Sequence, residues 1–255
     1  MSVFEAIRTV PEQKSEVSEV ANRPPETTKE VAEQPLLSKM EIKDVPNCTN
    51  AITHGNPFEL SKKMDSQQGD TDLRMRGNCG IVSARNLIAM NGVNISERNL
   101  TKYASEAGLC ENSKRLPANE RGGTKSSERQ ELLEIFGVKT EKWMATDSDT
   151  TLDKIADALD RGHGGILSLN AGILYDNPNM SAVNAEGKPM SNHVVTLLGA
   201  VRDGTSNEVK GFYICDSGTG EACKYVHSDR LKKSFFSVEN ACVQMSKERM
   251  RGIEG

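Results

Sequence analysis

Residues 76–92, RGNCGIVSARNLIAMNG, constrain this chain more than any other stretch. Ile81, Ala84, Leu87 and Ile88 recur at three- and four-residue spacing, which describes a helix buried along one side. Asn91-Gly92 supplies its stop. A cysteine followed by glycine stands at the start of that helix, where unpaired N–H groups and the helix dipole favour an anion. Read alone, Cys79 is a small packed hydrophobe. Read as a nucleophile, it needs a base and a group that orients the base.

The second half of the chain contains both. The strand segments HVVTLLGAVRD and VKGFYICD flank RDGTSNE, a run of turn-forming residues. A hairpin centred between Gly204 and Thr205 sets His193 directly opposite Asp216, with Cβ atoms roughly 4.5–5.5 Å apart. Val195, Leu197, Phe212 and Ile214 share that face and form an apolar wall. An imidazole beside a thiol favours the thiolate, and a carboxylate fixes the imidazole tautomer. His227, in YVHSD, is the rival base. His163 reads as a helix-end or loop residue, His54 as part of a soft leader, and Asp203 as a turn residue. The oxyanion formed by attack on an amide needs donors. The backbone N–H of Cys79 is one, and Gln67, Gln68 and Asn78 are the side-chain choices.

Organisation follows from a composition change near residue 58. Six of the nine prolines lie before it, and EVSEVANRPPETTKEVAEQP is too polar to offset the entropy of ordering. Residues 1–57 are therefore expected to be a flexible leader, linker or delivery segment, with short helical pieces around FEAIRTV and PLLSKMEI. Residues 58–255 are expected to form one catalytic domain. A helix begins at Ser96. Another carries capping-box spacing at Ser127 and Gln130 and ends at Gly137. A third places Leu152, Ile155, Ala156 and Leu159 on one side. The strands GILSLN, HVVTLLGAV, VKGFYICD and CKYVH come later, so the fold class is α+β.

Function classes narrow further. Six cysteines without a Cys-x-x-Cys pair signal neither zinc nor a disulfide scaffold, and the chemistry calls for no metal or organic cofactor. A net charge of -4 with interleaved signs gives no basic stripe for nucleic acid. No apolar run is long enough to insert in a membrane. The start lacks a secretory signal, so the expectation is a soluble protein, made in the cytoplasm, whose export, if any, is signal-peptide-independent.

NCGIVSARNLIAMNG resembles the active-cysteine helix of papain-like cysteine hydrolases, above all the bacteriocin-processing peptidase branch. NHVVTLLGAVRD resembles that family's histidine strand, and GFYICDSGTG its next strand, ending in Asp. LDKIADALDRGHGGILSLN resembles the preceding helix and strand. The resemblance implies a papain-like fold, with the nucleophile in a helical N-terminal part and His and Asp on a C-terminal antiparallel sheet. It implies a Cys79–His193–Asp216 triad acting on a protein or peptide substrate. The position of the family's oxyanion glutamine falls on Leu73 here, with Gln68 further upstream. A free-standing domain behind a leader is similar to bacterial toxin and effector domains, which implies an immunity protein or a secretion chaperone as partner. Three functions fit: a cysteine peptidase, a protein-glutamine deamidase using the same triad, and an inactive partner-binding module. The cleft is expected between residues 170–192 and the loop around Gly122-Gly123.

Overall fold

A computed structural model describes residues 39–251 apart from 43, 44, 46, 47, 49 and 56. Its organising element is a long strand, His193–Asp203, in which every residue but the last is buried. A strand covered on both faces reads as a continuous apolar run, as HVVTLLGAV does. In chain order the strands are β1 (Lys39–Ile42), β2 (Ala51–His54), β3 (Thr140–Met144), β4 (His163–Leu169), a two-stranded flap of β5 (Ala182–Val183) and β6 (Pro189–Met190), β7 (His193–Asp203), β8 (Val209–Asp216), β9 (Glu221–His227) and β10 (Cys242–Arg249). One edge of β7 pairs first with β4, from His193 to Leu197, and then with β2, from Ala200 to Asp203. The other edge pairs with β8, which carries β9. β10 lies between β4 and β3, and β1 borders β2. Among the described residues every ladder between two of these strands is antiparallel.

Helices cover both faces. Those present are α1 (Pro57–Ser61), α2 (Cys79–Met90), α3 (Glu97–Glu106), α4 (Ser126–Ile135), α5 (Leu152–Asp160), α6 (Ala171–Tyr175) and α7 (Ser228–Phe235). Ile81, Leu87 and Leu100 pack with Ile166, Val194 and Leu198 on one side. Ile155, Leu231 and Phe235 pack with Val195, Leu197, Phe212 and Ile214 on the other. The apolar wall expected on the histidine face is thus part of a full core. The result is a mixed helix and antiparallel-sheet fold of the α+β class.

Local signals placed most helices. Ser96 accepts the Asn99 N–H at 3.3 Å and caps α3. The capping contact of α4 is shifted from the expected Ser127–Gln130 pair: Glu128 reaches back to the Lys125 N–H at 2.6 Å. The helical piece expected at PLLSKMEI is corrected, since Lys39–Ile42 is a strand paired with β2. FEAIRTV lies outside the described residues.

The sheet also begins earlier than residue 58. β4 pairs with β7 only as far as Leu197, so the edge from Ala200 to Asp203 would present unpaired backbone groups. β2 satisfies them. An ionic cluster fastens this junction: Asp160 Oδ2 of α5 lies 3.1 Å from His54 Nδ1 and 3.0 Å from Arg202 Nε, while Arg202 Nη2 reaches Asp157 at 2.7 Å. Arg202 and Asp160 are both buried. Arg202→Ala leaves the buried Asp160 carboxylate with His54 as its remaining ion-pair partner and is expected to lower stability by about 3–5 kcal/mol, read as a fall in the urea midpoint.

Candidate active site

The thiol stands where the sequence put it, at the first residue of α2. Cys79, Ser83 and Asn86 share one helical face by their spacing. Ser83 Oγ donates to the Val194 carbonyl at 3.1 Å, and Asn86 Nδ2 lies 3.4 Å from Thr196 Oγ1. These contacts pin the helix to the beginning of β7, one turn below the cysteine. Upstream, the Arg76 and Gly77 N–H groups donate to the Ala118 and Arg121 carbonyls at 2.7 and 2.9 Å. Gly80 is required by packing: a Cβ there would collide with the Thr124 hydroxyl and stand 3.0 Å from Arg129 Cδ.

His193 opens β7, and its Nε2 donates to Asp216 Oδ1 at 2.9 Å. That leaves Nδ1 for the sulfur of Cys79, with which the imidazole also hydrogen-bonds. Asp216 has 0 % side-chain exposure. Its other donors are the Tyr175 hydroxyl, 2.9 Å from both carboxylate oxygens, and the Gly218 N–H at 3.0 Å.

The register that produces this contact differs from the expected one. Thr196 pairs with Cys215, so continuing the ladder sets His193 opposite Gly218, two residues beyond Asp216. The cause is the turn. Asp203 and Glu208 close it with a 2.9 Å backbone bond, and Asp203 Oδ1 accepts the Thr205 and Ser206 N–H groups. A shift of two preserves the face, whereas a shift of one would have reversed it. The pair therefore meets diagonally. Gly218 makes room, because a Cβ there would lie 3.0 Å from His193 Cε1.

Electrostatics bind the group together. Burial pushes the Cys79 thiol up, but the His193 hydrogen bond and charge, the Val194 N–H and the charge of Arg129 outweigh it and hold it below its ordinary value. Burial lowers the His193 pKa, yet the hydrogen bonds to Asp216 and Cys79 raise it to about 10. Burial likewise pushes the Asp216 carboxyl up, and the imidazole and Tyr175 bring it below the usual carboxylate range. Desolvation, with the charge of Asp216, keeps the Tyr175 phenol protonated. These directions favour the charged pair, a thiolate beside an imidazolium, over the neutral one.

The other expected site residues are placed differently. Asn78 is corrected as an oxyanion donor: its side chain is buried and its Nδ2 donates to Glu97 Oε1 at 2.7 Å and Thr101 Oγ1 at 3.2 Å. It anchors α3. Gln68 donates to the Arg76 carbonyl at 2.7 Å and accepts from Ser217 Oγ at 3.1 Å. It braces the segment before the thiol against the residue after Asp216 and does not line the cleft. Gln67 is exposed beside Gly220. His227 caps α7 by accepting the Asp229 N–H at 3.2 Å, and His163 binds the Ser246 carbonyl at 2.8 Å. Sequence reasoning missed Tyr175 as a partner of Asp216 and Arg129 as a neighbour of Cys79. Tyr175 carried no separate signal inside the segment expected to line the cleft, and Arg129 none within the helix that ends at Gly137.

A cleft of about 450 Å³ opens on Cys79 and His193. Ser191 and Asn192 line it from the segment before the histidine, and Gly123 to Ser126 from the loop before α4. A thiol at a helix start, packed on an antiparallel sheet that carries imidazole and carboxylate on adjacent strands, is the arrangement of the papain-like fold.

No protein-family profile and no curated protein matches the chain. Among solved structures it is similar to a putative C39-like peptidase from Bacillus anthracis, at 13% identity and a TM-score of 0.51, over 74% of this chain and 97% of that one. It is also similar to a double glycine motif protease from an AMS/PCAT transporter, solved with the leader peptide, at 14% identity and a TM-score of 0.42, over 72% and 91%. The peptidase domain of Streptococcus ComA, a bifunctional ABC transporter of a quorum-sensing pathway, aligns at 12% identity and a TM-score of 0.42, over 72% and 98%. The fold is that of C39-like peptidase domains. Among the described residues no helix is long and apolar enough to cross a membrane.

Two measurements probe the ion pair. Iodoacetamide at about pH 6 is expected to label Cys79 ahead of Cys48, Cys110, Cys215 and Cys223, whose thiols burial pushes up; peptide mapping reads the order. The raised His193 makes the folded protein hold a proton that the unfolded chain releases. Its contribution to stability is complete below its ordinary value of 6.5 and lost as pH rises toward about 10. Urea midpoints measured across that alkaline window are expected to fall.

Proposed function

We propose that the protein is a cysteine peptidase with Cys79 as nucleophile, His193 as general acid and base, and Asp216 as the group that orients the imidazole. The observation that carries this reading is the hydrogen-bonded chain from Tyr175 through Asp216 and His193 to Cys79, ending in an open cleft. The Cys79 thiolate attacks the carbonyl carbon of a peptide bond. The N–H of Cys79, at a helix start where backbone donors lack intrahelical partners, faces the developing oxyanion. His193 gives its Nδ1 proton to the leaving amine as the C–N bond breaks, leaving a thioester. Water then attacks the thioester while the imidazole takes its proton. The acid departs and the thiolate returns.

The proposal includes a bacterial effector or toxin role, carried by the resemblance to free-standing papain-fold toxin domains. The segment ahead of β1 would be its delivery arm or linker, and an immunity protein or secretion chaperone its partner. Support for a peptidase over a deamidase comes from the C39-like fold.

Intact-mass analysis of protein substrates tests the chemistry. Shortened fragments are expected. A gain of about 1 Da with release of ammonia would instead identify glutamine deamidation. Cys79→Ala is expected to keep the far-ultraviolet circular dichroism of the parent and to abolish turnover; turnover unchanged in that variant overturns both hydrolase readings.

A further inference from the structure

Arg129 is a buried cation with no carboxylate among its hydrogen-bond partners, and the sulfurs of Cys242 and Cys79 are its foremost electrostatic neighbours. It is 3% exposed. Its guanidinium donates to Gln244 Oε1 at 3.0 Å, to the Thr124 carbonyl and hydroxyl at 2.9 and 3.3 Å, and to Ser168 Oγ at 2.7 Å. A charge taken out of water normally requires an opposite charge as well as hydrogen bonds. A carboxylate whose charge reaches Arg129, Glu128, is occupied with Lys125: it accepts the backbone N–H and lies 3.8 Å from Nζ. The sulfur of Cys79 feels Arg129 through charge alone, its hydrogen bonds coming from His193 and Val194. The guanidinium is therefore held at the cleft without a carboxylate of its own.

Apart from the sulfur of Cys79, the ionisable side chains of the cleft have the same sign. Arg129, Lys125 and His193 line it, and Lys125 and Ser126 form the N-terminus of the ten-residue α4. Among the described residues no Asp or Glu lines this cleft, although the chain carries 36 acidic against 32 basic residues. An electropositive cleft in a net-acidic protein selects by charge, since low-dielectric walls focus the field on whatever enters.

We propose that the cleft beside Cys79 is built for an acidic peptide, with Arg129 as the specificity residue that receives an Asp or Glu carboxylate adjoining the scissile bond and Lys125 as a second cation at the rim. This names the substrate class of the peptidase reading and rests on it. The carboxylate approaches the face of Arg129 that borders the cleft, while Gln244, Thr124 and Ser168 keep the guanidinium in place. The glycine after the nucleophile serves the same end, because it lets Thr124 and Arg129 close on the first turn of α2.

Alkylation of Cys79 tests the charge preference without any peptidase activity. In the wild-type protein anionic iodoacetate is expected to react about fivefold faster than neutral iodoacetamide, and the ratio to fall as salt rises. Arg129→Gln is expected to reduce that ratio about fivefold and Arg129→Lys to retain most of it. Iodoacetate reacting more slowly than iodoacetamide in the wild type overturns the proposal, whether or not the variants fold. Digestion of a proteome-derived peptide library, with cut sites read by mass spectrometry, tests the substrate class. Acidic residues are expected to be enriched about threefold beside the cut. Cutting without that enrichment overturns the acidic specificity and leaves the peptidase reading standing. No cutting, with the iodoacetate preference intact, overturns the peptidase reading and supports the anion-receiving cleft.

Discussion

A carboxylate sealed from water must be answered by donors, and Asp216 is sealed completely. Left alone it would take up a proton or unfold the site. Three groups answer it: the imidazole of His193, the hydroxyl of Tyr175 and the N–H of Gly218. This requirement fixes His193 with Nε2 inward and its other nitrogen toward the sulfur. The tautomer, the ring orientation and the elevated basicity of the imidazole then come from one constraint. The lowered pKa of the Cys79 thiol depends on it in turn.

Placing the sulfur against that imidazole is the work of the fold. α2 lies on one face of the sheet, and His193 belongs by strand parity to the other. They meet because β7 begins at His193 and the helix begins at Cys79, so the two ends stand together at an open margin. Ser83 and Asn86 hold that alignment with bonds to Val194 and Thr196. The same open end leaves space for a cleft, bounded by the loop before α4 and by Ser191 and Asn192. Cys79, His193 and Arg129 all line that cleft, so the sulfur, the imidazole and the guanidinium share one electrostatic field.

Different parts of this arrangement were legible to different degrees. Helical spacing and caps gave α2, α3 and α5 nearly to the residue, because amphipathic periodicity and N-cap chemistry are local. β8 was legible as a short apolar run bounded by turn residues. β2, β3 and β10 were not, since the pairing of each depends on an edge supplied from far along the chain. PLLSKMEI illustrates this: its helical spacing yields to the free edge of β2. Asn78 failed as an oxyanion donor for a related reason, since the side chain beside a nucleophile turns toward whichever buried partner is available, here Glu97 and Thr101.

The sequence by itself determined the chemistry on offer: a cysteine at a helix start, a histidine at a strand start, an aspartate at the end of the next strand, in that order. It placed His193 and Asp216 on one face for any even register of the hairpin, and the turn supplied an even one. Tertiary structure decided the remainder. Turn geometry chose a diagonal contact over direct opposition, packing brought Tyr175 onto Asp216, and burial turned Arg129 from an ordinary helix residue into a cation at the cleft. Those outcomes depend on distances between segments remote in the chain, and local propensity carries no information about such distances.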